Sequence, residues 1–491
     1  MGERWISKSL FLTSLRCPKL AWTSIHESQK LTTSASNQHH IEEGRKVGEL
    51  ARKLFPDGTL IQSDSPAQAE MKTRQALFKK QPIFEACLRH NDTYTYADIL
   101  IPRRQFWDIL EVKSGTSVTE DHHIDVAFQK HVYHGAGIHT GRCYLMHINN
   151  EYQGQGNLDL ERLFVKSDIS KEVNKLLPKL PIWIESCKDL FSKHSALEVP
   201  IGPQCLAPDI CPLQSECWQF LPQRDHVLTL HRNKKIGWEW VPKGIHRIVD
   251  IPSQIKLNKK QKIQKQVIES GMPHIDHALL KKWLDKLQYP FYFLDFETIA
   301  SAVPMFDAVK PYEQIPFQYS LHVIEAKDAP PKHTGYLADS PNDPRPELLK
   351  KLQDELGTEG SIIAYNMSFE KGCLQRASDA YTDYQSWWKG IEPRFVDLMK
   401  PFQDFAYYHP DQQGRVSIKK VLPALSDMSY NGMEIADGGT AQSEFMRVTY
   451  GDASDKDRAA VRKALEEYCK LDTWAMVEIL EKLQIPIALS H

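Results

Sequence analysis

Residues 291–298 read FYFLDFET, an apolar and aromatic run that ends in an Asp-x-Glu pair. A short continuous apolar run after Pro290 predicts a buried central strand. Side chains in a strand alternate between faces, so Asp295 and Glu297 point the same way. Two carboxylates on one face of a buried strand repel each other and lose hydration; a cation between them relieves both costs. Their hard oxygen donors favour Mg²⁺ or Mn²⁺. Taken alone, the pair is equally well explained as an acidic, solvated strand end. Two later stretches add to it. Residues 361–366 (SIIAYN) predict a second short strand. After it MSFEKGCL predicts a helix that Asn366 caps and that carries Glu370 in its first turn. Tyr468 and Asp472 lie in the helical pattern AAVRKALEEYCKLDTWAMVEILEKL; four apart, they share one helix face.

A second group with chemistry lies in the first half of the chain. Residues 94–102 (YTYADILIP) predict a strand carrying Asp98, and residues 106–113 (FWDILEVK) its hairpin partner. Glu111 and Lys113 share a face of that partner by the period of two. Gln129 and Tyr133 are four apart in the helix that follows. The cysteines form a third group. Cys87, Cys143, Cys187, Cys373 and Cys469 stand singly in apolar or helical contexts, as core or surface thiols. Cys205, Cys211 and Cys217 lie in IGPQCLAPDICPLQSECW, a Pro-broken loop with five residues between successive cysteines. Such a loop packs poorly by itself, and a bound metal gives its shape a reason. Cys17, in SLRCPKLAW, offers a fourth thiolate. Spacing alone fits zinc and an iron–sulfur cluster equally.

The order Asp-x-Glu, then Asn-x-x-Phe-acid, then Tyr-x-x-x-Asp resembles the DnaQ-like 3′→5′ exonucleases of the ribonuclease H fold, tyrosine subclass, over roughly the last two hundred residues. The resemblance implies two-metal phosphodiester hydrolysis, with Asp295, Glu297 and Asp472 holding the metal pair and Tyr468 orienting the attacking water. Glu370 departs from the pattern, since these enzymes carry Asp there. Asp397, in FVDLM, is either a substitute ligand or a polar strand end or helix cap.

One early cysteine, a nuclease core and a later cysteine triplet resemble the RecB-type nucleases with an iron–sulfur staple, such as the CRISPR-associated exonucleases and AddB-like helicase–nuclease subunits. That resemblance implies a [4Fe–4S] cluster on Cys17, Cys205, Cys211 and Cys217, with zinc the alternative. It also identifies Asp98…Glu111-x-Lys113 with the PD-(D/E)XK signature. Asp98 and Glu111 then hold a divalent ion, Lys113 positions water, and Gln129 and Tyr133 match the Gln-x-x-x-Tyr placed beside the metal. The early helix, IEEGRKVGELARKLF, departs from the family: Gly48 stands where a ligand His is expected. Glu49 is a possible substitute, His39 and His40 read as upstream loop residues, and Glu85 as a further ligand or a polar edge.

Composition frames these readings. The chain has 491 residues, 41% hydrophobic and 25% charged, enough for several ordinary cores. A net charge of −2 requires any nucleic-acid partner to be held by local patches and not by a global field. Nine cysteines in this length exclude a disulfide scaffold. No apolar run reaches the ~20 residues of a membrane span, and SLFLTSL is too short for a signal peptide, so the expected location is cytoplasmic. Residues 218–289 carry no chemical motif. Their basic run at 256–265 reads as a solvated face or a phosphate-backbone track, and Trp238 and Trp240 as core or base-stacking residues.

The expected protein is α/β in three parts. Residues 1–220 form a PD-(D/E)XK restriction-endonuclease-like domain with the iron–sulfur staple, 221–288 a mainly helical connector, and 289–491 a ribonuclease H-like exonuclease domain. The whole resembles a bacterial family that joins these two modules. The implied activity is a metal-dependent nuclease, with DNA favoured over RNA, in DNA repair or in defence against foreign DNA. The alternatives are a nucleic-acid-binding scaffold with decayed centres, or an RNA-processing exonuclease.

Overall fold

Stretches rich in β-branched and aromatic residues become strands here, and the amphipathic stretches between them become helices. The structure is a computed structural model that describes residues 5–31, 35–232 and 234–488. It is a mixed α/β protein. The chain forms two compact units, Met1–Cys217 with Ser301–Tyr312, and Trp218–Ala300 with Glu313–His491.

The first unit is built on seven strands: β1 (Ile6–Ser7), β2 (Thr59–Leu60), β3 (Ile83–His90), β4 (Thr93–Pro102), β5 (Trp107–Lys113), β6 (Thr140–Ile148) and β7 (Phe164–Asp168). Their order is β2-β3-β4-β5-β6-β7, and β1 pairs with β4. The β3–β4–β5 run is antiparallel, as the hairpin reading expects. The β5–β6 pair is parallel, which requires a crossover; the helix Glu120–Gly135 supplies it. Ile109 and Leu110, neighbours on β5, belong to separate apolar clusters. Both faces of the sheet are therefore covered. Phe11, from the helix Lys8–Arg16, stacks on Phe128 of the crossover helix at 4.5 Å between ring centres.

The segment Ser301–Tyr312 belongs to this first unit although stretches of the second unit flank it in sequence. Glu43, 4% exposed on the helix Ala35–Arg52, is its anchor. Its Oε2 accepts the Ser301 hydroxyl and the Ala302 amide, both at 2.8 Å. His39 and His40, expected in a loop, lie on this same helix; their side chains fall outside the described residues.

The second unit contains β8 (His274–Ile275), β9 (Phe291–Ile299), β10 (Ile315–Ile324), β11 (Lys332–Leu337), β12 (Ser361–Ala364), β13 (Phe395–Asp397) and β14 (Tyr407–Tyr408). Its main sheet runs β11-β10-β9-β12-β13, antiparallel on one side of β9 and parallel on the other. The FYFL run thus sits at the centre, buried on both faces. A 34-residue helix, Asp455–Ala488, lies against β9 and β10. Three alternate residues of β10 hold it. Gln318 Nε2 donates to the Leu465 carbonyl at 2.9 Å, and Ser320 Oγ and His322 Nδ1 meet Thr473 Oγ1 at 2.7 and 2.8 Å.

Residues 221–288 group with this second unit. The basic run becomes the helix Lys259–Ser270, capped by Asn258. Its buried Gln264 hydrogen-bonds the His231 amide and the Thr229 carbonyl, and its Lys260 and Lys265 donate to the Gln403 and Ile251 carbonyls. Trp240 is buried, and Trp238 packs edge-on against Trp218 at 5.7 Å, so both serve packing. Asn366 does not cap the next helix. The cap position of Ser368–Ala380 is Met367, while Asn366 takes φ 73° and accepts the Ser368 hydroxyl. Its short polar side chain tolerates this left-handed turn. Among the described residues no helix is long and apolar enough to cross a membrane.

Replacing Glu43 with Ala strands the buried Ala302 amide and is expected to cost about 1–3 kcal/mol. Hydrogen exchange should show faster exchange at Ala302, with the β9 amides unchanged. Equal protection of Ala302 in both proteins would show that Glu43 does not anchor the segment.

Candidate functional site

In the second unit the register pairs Asp295 with Ser320 and Glu297 with Gln318, so both acids face the long helix. Asp472 comes from that helix. One carboxylate oxygen from each of Asp295, Glu297 and Asp472 lies within 4.8 Å of the others, the one such group of His, Cys, Asp or Glu found among the described residues. They line an open cleft of about 330 Å³ together with Glu370, Tyr468 and Lys419. Glu370, in the first turn of its helix as expected, is 2% exposed, and its Oε2 has no hydrogen-bond partner among the described residues.

Crowding these acids out of water has a clear electrostatic signature. Burial, and then the Asp472, Glu370 and Glu297 carboxylates, hold the Asp295 pKa well above its ordinary value. Burial and Asp472 push Glu297 up to about 8, and burial pushes Glu370 up to about 8. Asp472 reaches only about 6, because Tyr430, Lys419 and Tyr468 offset part of its burial. Tyr430 donates to Asp472 Oδ1 at 2.6 Å. Lys419 Nζ donates to the Tyr468 oxygen at 3.0 Å and to the Ala436 carbonyl at 2.6 Å. The phenol oxygen of Tyr468 thus accepts from Lys419, and its O–H remains a donor beside Asp472. Asp397 takes the other role considered for it: its Oδ1 accepts the Asn366 and Met399 amides at 3.0 and 2.9 Å, a strand-end cap.

In the first unit the β4–β5 register places Asp98 opposite Glu111, one step past the Ile99–Leu110 pair. Asp98 Oδ2 accepts the Val112 amide at 2.7 Å. Lys113 donates to Glu111 Oε1 at 2.7 Å and to Asp125 Oδ2 at 2.8 Å. Gln129 Nε2 donates to Glu111 Oε2 at 2.7 Å and to Asp125 Oδ1 at 2.9 Å. Lys8 completes the cluster, with Nζ 2.8 Å from Glu111 Oε1 and 3.1 Å from Asp125 Oδ1. Burial and Glu111 push Asp98 up to about 8. At Glu111 burial acts in the same upward sense, but the Lys113 and Lys8 ammoniums outweigh it and hold its pKa far below the carboxylate range.

The remaining residues of the first group stand apart. Tyr133 shares a face with Gln129 yet gives its hydroxyl to the Ala86 carbonyl at 2.5 Å. Glu49 is exposed and pairs with Arg45, away from any ligand role. A Cβ at Gly48 would meet nothing within 4 Å. Glu85 stands opposite Asp98 with φ 52°, and reaches Arg52 at 3.5 Å.

The four cysteines converge. Cys17, Cys205, Cys211 and Cys217 line one small pocket. The Cys211 amide donates to the Cys205 carbonyl at 2.9 Å, folding the Pro-broken loop around it. Arg16 ties the loop to the neighbouring helix through the Gln204 carbonyl at 3.0 Å. No three of the sulfurs come within 4.8 Å of one another. The other five cysteines are buried singly.

Four residues of these sites escaped the sequence reading. Asp125 had a signal, since it lies four residues before Gln129 on one helix face. Lys8, Lys419 and Tyr430 had none, because each reaches its site from a distant part of the chain.

Residues 292–417 match the family described as "Domain of unknown function (DUF2779)". The "Uncharacterized protein MG366 homolog" of Mycoplasma pneumoniae is 28% identical over 237 residues, which is 41% of this chain and 36% of that protein. "Uncharacterized protein UU173" of Ureaplasma parvum serovar 3 is 24% identical over 221 residues, 40% and 31% of the two chains. The match thus spans about a third of the length of these curated relatives.

The raised carboxylates set a pH dependence. Unfolded, they titrate near 4; folded, Asp472 does so at about 6 and Glu297 and Glu370 at about 8. Folding favours the protonated forms, so the stabilising contribution is full below about pH 4 and is lost as pH rises toward 8. Without divalent ions the second unit should therefore melt at falling temperature from pH 5 to pH 8, and Mn²⁺ should raise the melting temperature more at pH 8 than at pH 5. An equal Mn²⁺ shift in the Asp295→Asn, Asp472→Asn chain would show that the ion stabilises some other site.

Proposed function

We propose that the protein is a metal-dependent nuclease that hydrolyses nucleic-acid phosphodiesters at the Asp295, Glu297 and Asp472 centre, with DNA as the favoured substrate. The observation that carries this reading is the buried acidic triad beside an unpartnered Glu370 oxygen: four clustered carboxylates with one ammonium near them favour added cationic charge, which a divalent ion supplies. The three motifs of the DnaQ-like resemblance also meet in one cleft, although they lie far apart in sequence. Asp295, Glu297 and Asp472 would hold Mg²⁺ or Mn²⁺, with Glu370 beside them. When bound, the ions supply Lewis-acid charge at the phosphate and lower the pKa of a bound water. Tyr430 fixes Asp472 through its Oδ1. Lys419 holds the Tyr468 phenol so that its O–H can donate to a water or to the scissile phosphate. Glu370, longer than the usual Asp by a methylene, still reaches the cleft.

The same reading gives the first unit a RecB-like nuclease centre at Asp98, Glu111 and Lys113, and a [4Fe–4S] cluster at Cys17, Cys205, Cys211 and Cys217. The donor set fits: four thiols surround one cavity. A tetrahedral zinc on the same four thiolates, with Zn–S near 2.3 Å, is the alternative. The cluster's chemistry here is structural, a clamp on the Pro-broken loop. Repair or defence against foreign DNA is the setting that the resemblance implies.

Labelled DNA and RNA should be digested side by side with Mn²⁺ and with EDTA. DNA cleavage should require Mn²⁺ and fall by roughly two to three orders of magnitude in Asp295→Asn and Asp472→Asn. Binding without any cleavage would leave a nucleic-acid scaffold, and cleavage of RNA alone would replace the substrate. Anaerobically purified protein should carry about four irons and absorb broadly in the visible; stoichiometric zinc instead would overturn the cluster.

A further inference from the structure

We propose that Lys8 is the resident cation of the carboxylate cluster in the first unit, and that a divalent ion enters that centre only when the Lys8 side chain leaves it. Three observations carry this. The first is donor occupancy. A carboxylate oxygen has two lone pairs. Glu111 Oε1 accepts from both Lys8 and Lys113, at 2.8 and 2.7 Å, and Oε2 accepts from Gln129. Asp125 Oδ1 meets Lys8 and Gln129, and Oδ2 meets Lys113. Asp98 Oδ2 is held by the Val112 amide. Glu111 Oε1 and Asp125 Oδ1 are thus fully occupied, and Lys8 takes one lone pair on each, so no ion bridges these two oxygens while its ammonium stays there.

The second observation is charge. Two ammoniums face Glu111 and Asp125, one for each carboxylate. That pair is balanced from within the chain. The second unit differs, for there Asp295, Glu297, Glu370 and Asp472 share one cleft with Lys419, and a Glu370 oxygen stays unpartnered. One centre is short of positive charge and the other is not.

The third observation singles out Lys8. Lys113 stands two residues from Glu111 on the same strand and cannot withdraw far. Lys8 opens a separate helix, Lys8–Arg16, its side chain is 22% exposed, and four methylenes join its ammonium to the backbone. Rotation about those bonds carries the charge to solvent and frees a lone pair on Glu111 Oε1 and another on Asp125 Oδ1. The two centres then differ in metal affinity because of one tethered side chain.

The inference uses the nuclease reading only for the reason to expect a divalent ion there; its test measures binding and needs no hydrolysis. The full chain carrying Asp295→Asn and Asp472→Asn is titrated with Mn²⁺, and free Mn²⁺ is followed by electron paramagnetic resonance. Adding Lys8→Met should create one site roughly ten- to a hundredfold tighter than in the Lys8 parent. Equal affinity, or no binding in either chain, overturns the proposal. Should Lys8→Met fail to fold, the parent chain is treated with acetic anhydride with and without Mn²⁺, and Lys8 acetylation is read by mass spectrometry. Mn²⁺ should raise the acetylation of Lys8, and unchanged acetylation overturns the proposal.

Discussion

Buried carboxylates of like charge are the constraint around which both units are arranged. Each sheet brings acids together where water is scarce, and each such acid either keeps its proton or needs a nearby cation. The first unit answers with ammoniums carried on two different elements, Lys113 on β5 and Lys8 on the helix after β1. The second unit concentrates four acids in one cleft with Lys419 beside them. Its carboxyls are displaced upward in pKa, whereas Glu111 in the first unit is displaced downward. The opposite signs express one rule applied to two local charge balances.

Holding acids from different elements at such spacing needs more than apolar packing, which tolerates small rotations of a helix about its axis. The long helix of the second unit is indexed by hydrogen bonds. Gln318, Ser320 and His322 project from one face of β10, the face that also carries the cross-strand partners of Asp295 and Glu297. They fix the helix through Leu465 and Thr473, on either side of Tyr468 and Asp472. Cys469, between them, rests its sulfur 3.9 Å from Asp295 Oδ2. The strand that faces the acids thereby also sets the rotation of the helix that completes their site.

Much of this was legible in the sequence, for identifiable reasons. The FYFL run, the Asp-x-Glu period and the Tyr-to-Asp interval depend on local geometry, and the strand, the shared face and the shared helix side all appear. The β4–β5 hairpin and its facing Asp98 and Glu111 were legible for the same reason. Asn366 misled because a residue ahead of a helix reads as a cap, while the backbone there turns left-handed and moves the cap position to Met367. Lys8 shows a different limit. It meets Glu111 across 103 residues of sequence, and no periodicity reports a contact of that range. The connector 221–288 looked independent because it lacks motifs, yet its Gln264 is buried in polar contacts of the second unit.

The segment Ser301–Tyr312 makes neither unit a continuous stretch of chain. A fragment that stops at Cys217 would retain Glu43 with its acceptor oxygen turned toward partners that are no longer covalently present. A fragment that begins at Trp218 would carry twelve residues whose native packing lies elsewhere. The matched stretch 292–417 also runs straight through this insertion. The stretch matched by sequence similarity and the compact units of the structure therefore do not coincide here, and dissecting the protein into two continuous halves would cut across both units.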